Sequence, residues 1–177
     1  MRGGAVVWVT GRPSSGKSTL AGAIVARLRD AGAACALLDG DDVREALGRP
    51  AGRGEAEREA FYAVLGRLAA LLARQGLRVV VAATSHRREH RERARALAPR
   101  FVEVHVATPA EECERRDAKG LYAQARAGGT VELPGAEVEY EAPLAAEVVA
   151  ADGEDAEAAR AAAELALAAR PTTNSRT

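Results

Sequence analysis

Cysteine, lysine, long apolar runs and an excess of charge of either sign are all missing or scarce in this chain. The two cysteines, Cys35 and Cys113, stand far apart without metal-type spacing. That excludes a disulfide framework and a thiolate metal site, so both are expected as buried free thiols in a reducing compartment. The apolar stretch after Met1 covers only six residues, 5–10, before Gly11. It is too short for a secretory leader or a membrane span, so a cytoplasmic location without a membrane partner is expected. The 25 basic and 25 acidic side chains cancel. A nucleic-acid or membrane binder working through bulk charge is thereby excluded, although a local basic site for a phosphorylated ligand is not. Lys17 and Lys119 are the only lysines among the 25 basic residues, which draws attention to each.

What is present suits one globular domain: 177 residues, 47% apolar and 28% charged. The domain is expected over residues 1–170, with 171–177 a disordered tail and no internal repeat. Residues 5–10 form a continuous β-branched and aromatic run, the mark of a strand buried on both faces. Similar runs predict strands over 34–38, 77–83, 101–106 and 147–150. Between them, helical periodicity predicts helices over 19–29, 43–47, 55–74, 87–97, 109–116 and 154–169. The longest carries Phe61, Leu65, Leu68 and Leu72 as its apolar stripe. Residues 117–129, polar and punctuated by glycine, read as a helical lid. Strand–helix alternation with buried strands specifies an α/β fold with a parallel sheet between two helical layers.

Gly11-Arg12-Pro13-Ser14-Ser15-Gly16-Lys17-Ser18 fits G-x-x-x-x-G-K-S/T at every fixed position, between a strand and a helix that continues through Thr19. Its glycines let successive N–H groups converge on one anion, and the helix points its positive end at the same phosphates. Lys17 supplies a full charge to the β and γ oxygens, and the Ser18 hydroxyl is a hard oxygen ligand for Mg²⁺. The expected fold is therefore a P-loop NTPase: three layers, α/β/α, with a five-stranded, mostly parallel sheet and a lid. No Asn-Lys-x-Asp motif for reading guanine occurs. A small-molecule kinase using ATP and Mg²⁺ fits better than a switch.

Asp39-Gly40-Asp41 ends the second strand, where carboxyl ends face the ligand crevice. One carboxylate can orient the acceptor hydroxyl or take its proton; the other can hold a Mg²⁺-bound water or the substrate. Arg44 can pair with Asp41 or bind an anionic group of the acceptor. Asp42 is expected to cap the following helix.

These residues resemble the adenylylsulfate (APS) kinase family, P-loop enzymes that phosphorylate the 3′-hydroxyl of APS. The resemblance runs from about Val6 to Pro143. Its most specific pieces are Leu38-Asp39-Gly40-Asp41-Asp42-Val43-Arg44, the stretch from Asp117 through Lys119-Gly120-Leu121-Tyr122 to Gly128, and Tyr140-Glu141-Ala142-Pro143. The resemblance implies Asp41 facing the 3′-hydroxyl, Asp39, Arg44 and Arg58 holding the acceptor, and Lys119 with Leu121 closing over it. Ser85 matches the family's serine after the third strand, and Arg126 belongs to the lid over ATP. A homodimer is the assembly the resemblance suggests.

Departures fall in the acceptor pocket. Phe61 stands where the family has asparagine, Ala63-Val64 where it has an arginine pair, and Arg53 where a ring stacks on the base. His86-Arg87 and Leu133-Pro134 depart likewise. Three readings stay open: APS as acceptor, a different 5′-substituted nucleoside or specialised metabolite, or a nucleotide-binding regulatory protein. His86 and His90, set among arginines, are expected on a solvated basic face, His105 as a structural histidine and Trp8 as core.

Overall fold

A computed structural model describes residues 3–48, 54–117, 120–127 and 138–168. Five strands, β1 (Ala5–Gly11), β2 (Cys35–Asp39), β3 (Arg78–Ala82), β4 (Phe101–Val106) and β5 (Val148–Ala150), form one sheet. Their order is β2-β3-β1-β4-β5, and every pairing is parallel. The helices are α1 (Lys17–Asp30), α2 (Gly40–Ala46), α3 (Glu55–Arg74), α4 (Arg88–Leu97), α5 (Ala110–Arg116), α6 (Leu121–Arg126) and α7 (Ala156–Leu167).

Alternation along β1 divides the core in two. Val7 and Val9 join Leu20, Ile24 and Leu28 of α1 and the alanines Ala159, Ala162 and Ala166 of α7. Val6 and Trp8 face the other way, onto Phe61, Leu65 and Ala69 of α3 and Ala94 of α4. The three expected layers are present, and Trp8 is fully buried. The alanine stripe lets α7 lie close to α1, since no long side chain separates their backbones.

Two expectations need correction. β2 is not buried on both faces: it is an edge strand, half-exposed, with Leu37 41% accessible. Cys35 on that strand is accordingly only half-buried, whereas Cys113 is buried; both thiols are free. The helix-capping carboxylate is Asp39, which accepts from the Asp41 amide, so Asp42 is not the cap. Among the described residues no helix is long and apolar enough to cross a membrane. The expectation of a disordered tail, and those on Arg53, Lys119 and Leu133-Pro134, fall outside the described residues.

Candidate active site

From β1 the chain leaves toward β2, and from β4 toward β5, so the sheet reverses direction beside its central strand. Ligands of open parallel sheets bind at such a point, outside the carboxyl ends. The segments following all five strands converge there.

The loop after β1 is shaped by backbone conformation. Ser14 and Gly16 take positive φ, 60° and 97°, which turns successive N–H groups inward as in an anion nest. Gly16 also packs against Gly153, on the loop after β5: a Cβ on Gly153 would stand 2.5 Å from the Gly16 carbonyl oxygen. A side chain on either residue would force the two loops to shift apart. The loop after β4 adds a tie, the Thr108 hydroxyl donating to the Ser15 carbonyl at 2.8 Å. Lys17 begins α1 and donates through Nζ to the Arg12 carbonyl at 2.7 Å, so its ammonium lies folded over the loop. Ser15 Oγ is buried without a partner among the described residues. Converging amides, an ammonium and a helix start fit a polyphosphate chain.

Beside the loop, Ser18 Oγ donates to Asp39 Oδ2 at 2.5 Å. That contact joins the end of β2 to the start of α1 and sets two hard oxygens together, the donor chemistry Mg²⁺ takes. Asp41 follows on the first turn of α2, exposed, with Arg44 three residues further on the same face.

The far wall comes from α3 and the turn after β3. Arg58, Phe61 and Tyr62, spaced three and four apart, share one face of α3 and are all buried. The Arg44 guanidinium stacks over the Phe61 ring, 3.7 Å from its centroid. Burial pushes the Tyr62 hydroxyl pKa up, opposed by hydrogen bonds from the Ser85 backbone and Arg44 and by the charges of Arg44 and Arg58. Ser85 itself has φ 40° and turns its hydroxyl inward, where it accepts from Trp8 Nε1 at 3.2 Å.

The histidines overturn an expectation. His86 and His90 are 2% and 4% exposed, not part of a solvated face. Burial pushes His86 down to about 4, with His90 and the Arg58 and Arg87 cations adding to the effect. His90 is lowered likewise, so its Nε2 contact with Glu59 at 2.9 Å is a hydrogen bond from a neutral ring at pH 7. Arg91, on the same helix as His90, is 2% exposed. It donates to Glu103 at 2.7 Å, to the Ser85 carbonyl, and to the Glu141 carbonyl at 2.7 Å. A helix with charge all round can bury one face when buried carboxylates and carbonyls absorb its donors.

A strap around Tyr140 crosses from this wall to the phosphate loop. Its hydroxyl shares a hydrogen bond with Thr10 at 3.1 Å, and Arg12 lies 5.6 Å from its ring centroid. His105, half-buried, stacks on the same ring. The Glu141 amide donates to the His86 carbonyl at 2.8 Å, and its carboxylate accepts from the Arg88 amide.

On the lid, Asp117 accepts from the Tyr122 and Ala123 amides and so starts α6. The Tyr122 hydroxyl, raised by burial to about 12, donates to the Pro13 carbonyl at 3.2 Å. Leu121 packs with Cys113 and Tyr122, and Arg126 pairs with Glu114. The structure thus gathers Gly11–Thr19, Asp39, Asp41, Arg44, Arg58, Phe61 and Ser85 around one crevice, while Leu121 and Arg126 belong to the lid's own packing. Residues the sequence reading missed are Tyr62, Arg91 and Gly153, while His86 was placed at the acceptor pocket but not as a buried ring. Tyr62 was within reach, four residues after Arg58; Arg91 and Gly153 carry no local signal.

Sheet, glycine loop, lysine and the paired hydroxyl and carboxylate define a P-loop NTPase of the phosphotransferase kind. The sequence profile of the family described as adenylylsulphate kinase matches residues 3–151. An adenylyl-sulfate kinase of Shewanella pealeana is 48% identical over 145 residues, 81% of this chain and 71% of its own. One from Paraburkholderia xenovorans is 44% identical over 147 residues, 82% of each. The Mycobacterium tuberculosis APS kinase CysC, solved in complex with AMPPNP and APS, superposes with a TM-score of 0.85 at 36% identity. That match covers 93% of this chain and 98% of the other. The chain belongs to the adenylylsulphate kinase family.

Proposed function

We propose that this chain transfers the γ-phosphoryl group of ATP to the 3′-hydroxyl of APS, giving 3′-phosphoadenylylsulfate and ADP. The observation that carries the reading is the Ser18–Asp39 contact, which sets the acid pair after β2 directly against the phosphate loop. Family membership supplies the acceptor.

The phosphate-loop amides and Lys17 hold the triphosphate and take up charge that builds on the β–γ bridging oxygen as its bond to phosphorus breaks. Ser18 and Asp39 would hold Mg²⁺, which when bound neutralises the phosphate oxygens. Asp39 then serves the metal side rather than the acceptor. Asp41 orients the acceptor hydroxyl and takes its proton as the new oxygen–phosphorus bond forms. Arg44 and Arg58 hold the anionic end of the acceptor. The lid, seated on Pro13 through Tyr122, covers ATP, with Arg126 and Lys119 as its cations. We also propose a homodimer, supported by the half-exposed edge strand β2; light scattering reads it.

The test is acceptor-dependent ADP release with APS, and product mass. One added phosphoryl group on APS is expected. Binding of ATP with no acceptor-dependent ADP across APS and other 5′-substituted nucleosides would leave the regulatory reading instead.

A further inference from the structure

The Arg44–Phe61 stack lies between the two elements that meet at the acceptor side of the crevice. Arg44 sits on α2, one turn beyond Asp41. Phe61 sits on α3, one turn beyond Arg58, and is 8% exposed. The guanidinium carbon lies 3.7 Å from the ring centroid, van der Waals contact over the face rather than at an edge. Stacking of this kind engages the face of the guanidinium and consumes none of its five N–H donors, all of which lie in its plane. A face contact at this distance restrains the plane of an otherwise flexible side chain.

We infer that Phe61 is a positioning residue for the acceptor, acting through Arg44: its ring sets the plane in which the guanidinium meets the anionic end of the acceptor. The inference rests on the acceptor reading above. It assigns Phe61 no contact with the acceptor and no part in holding ATP. A bidentate pair with an oxyanion depends on that plane, because tilting the fork breaks one of two parallel hydrogen bonds.

Phe61→Leu keeps an apolar side chain of similar size in the core and removes the ring, whereas Phe61→Trp keeps a ring face. The expected result for Phe61→Leu is a KM for APS raised about tenfold, with kcat and the KM for ATP within about twofold. Phe61→Trp should recover most of the loss. Binding of APS to the AMPPNP-loaded protein completes a cycle with Arg44→Ala: in that background Phe61→Leu should change nothing further. An equal loss with and without Arg44 would overturn the inference, since Phe61 would then act on the acceptor itself. The second readout needs no acceptor. The Arg44 Nε–H resonance should be shifted by the ring in the wild type and Phe61→Trp, and lose that shift in Phe61→Leu. An unchanged resonance overturns the positioning role even if APS is turned over. Wild-type protein that ignores APS while the resonance responds would instead sink the acceptor reading.

Discussion

The two halves of the crevice are made of different material. The ATP half is backbone: a turn of positive-φ residues, a helix start, two glycines in van der Waals contact and one ammonium. The acceptor half is side chain: a stacked arginine and phenylalanine, a buried tyrosine, two buried histidines and an arginine tied to three separate segments. Backbone geometry changes little when surrounding side chains are exchanged, so the first half can stay fixed while the second is remodelled. Phe61 and His86, two of the positions at which the sequence reading expected departures from the family resemblance, both lie in the second half.

The sharpest break of this comparison removes charge from the ATP half. Lys17→Ala should lower kcat by about 10³-fold or more while the melting temperature stays within a few degrees, because the residue neutralises phosphate and packs little. Turnover near the wild-type rate would remove Lys17 from the chemistry. Asp41→Asn stands at the junction: ATP binding by calorimetry should be retained and phosphoryl transfer reduced by about 10²-fold. Weakened ATP binding in that variant would move Asp41 to the metal side.

Arg91→Met probes the acceptor half. It leaves the Glu103 carboxylate buried without its close cation and frees the Ser85 turn and the Tyr140 strap, so a stability loss of about 3 kcal/mol is expected in denaturant titration. A loss under about 1 kcal/mol would show that Arg95, 3.4 Å from Glu103, suffices as its partner.

Acid acts on the same wall. His86 stays neutral in the folded protein down to about 4, while in the unfolded chain it takes up a proton near its ordinary value of 6.5. Its contribution to stability is therefore complete above pH 6.5 and is lost as pH falls toward 4, on the order of 2 kcal/mol. His86→Phe should flatten the stability curve over that window; an unchanged slope would place the acid sensitivity elsewhere. The smallest effect is expected from Gly153→Ala, whose methyl meets the Gly16 carbonyl. The KM for ATP should rise about tenfold with the KM for APS unmoved. Equal change in both would mean that the two halves are mechanically coupled.

Much of this was legible in one dimension. The phosphate loop is eight consecutive residues, and the run 5–10 before it and the periodic helix after it place it at a strand's carboxyl end. Asp39-Gly40-Asp41 was legible for the same reason. α4 was not: its arginines and its one histidine read as a solvated face, yet His90, Arg91 and Ala94 are buried. Burial of Arg91 depends on acceptors supplied by Ser85, Glu103 and Glu141, which no local window contains together. β2 was misread in the opposite sense, because an apolar run does not say whether the strand ends up central or at an edge.

By itself, then, the sequence determined the layered sheet, the anion nest and the acid pair, since each depends on φ, ψ and N–H groups set by near neighbours along the chain. Tertiary structure alone decided that Asp39 lies against Ser18, that Gly153 presses on Gly16, and that the Arg44 guanidinium lies over the Phe61 ring. Those contacts join residues from different strands and helices, and their geometry is fixed only when the packed core holds the elements in register.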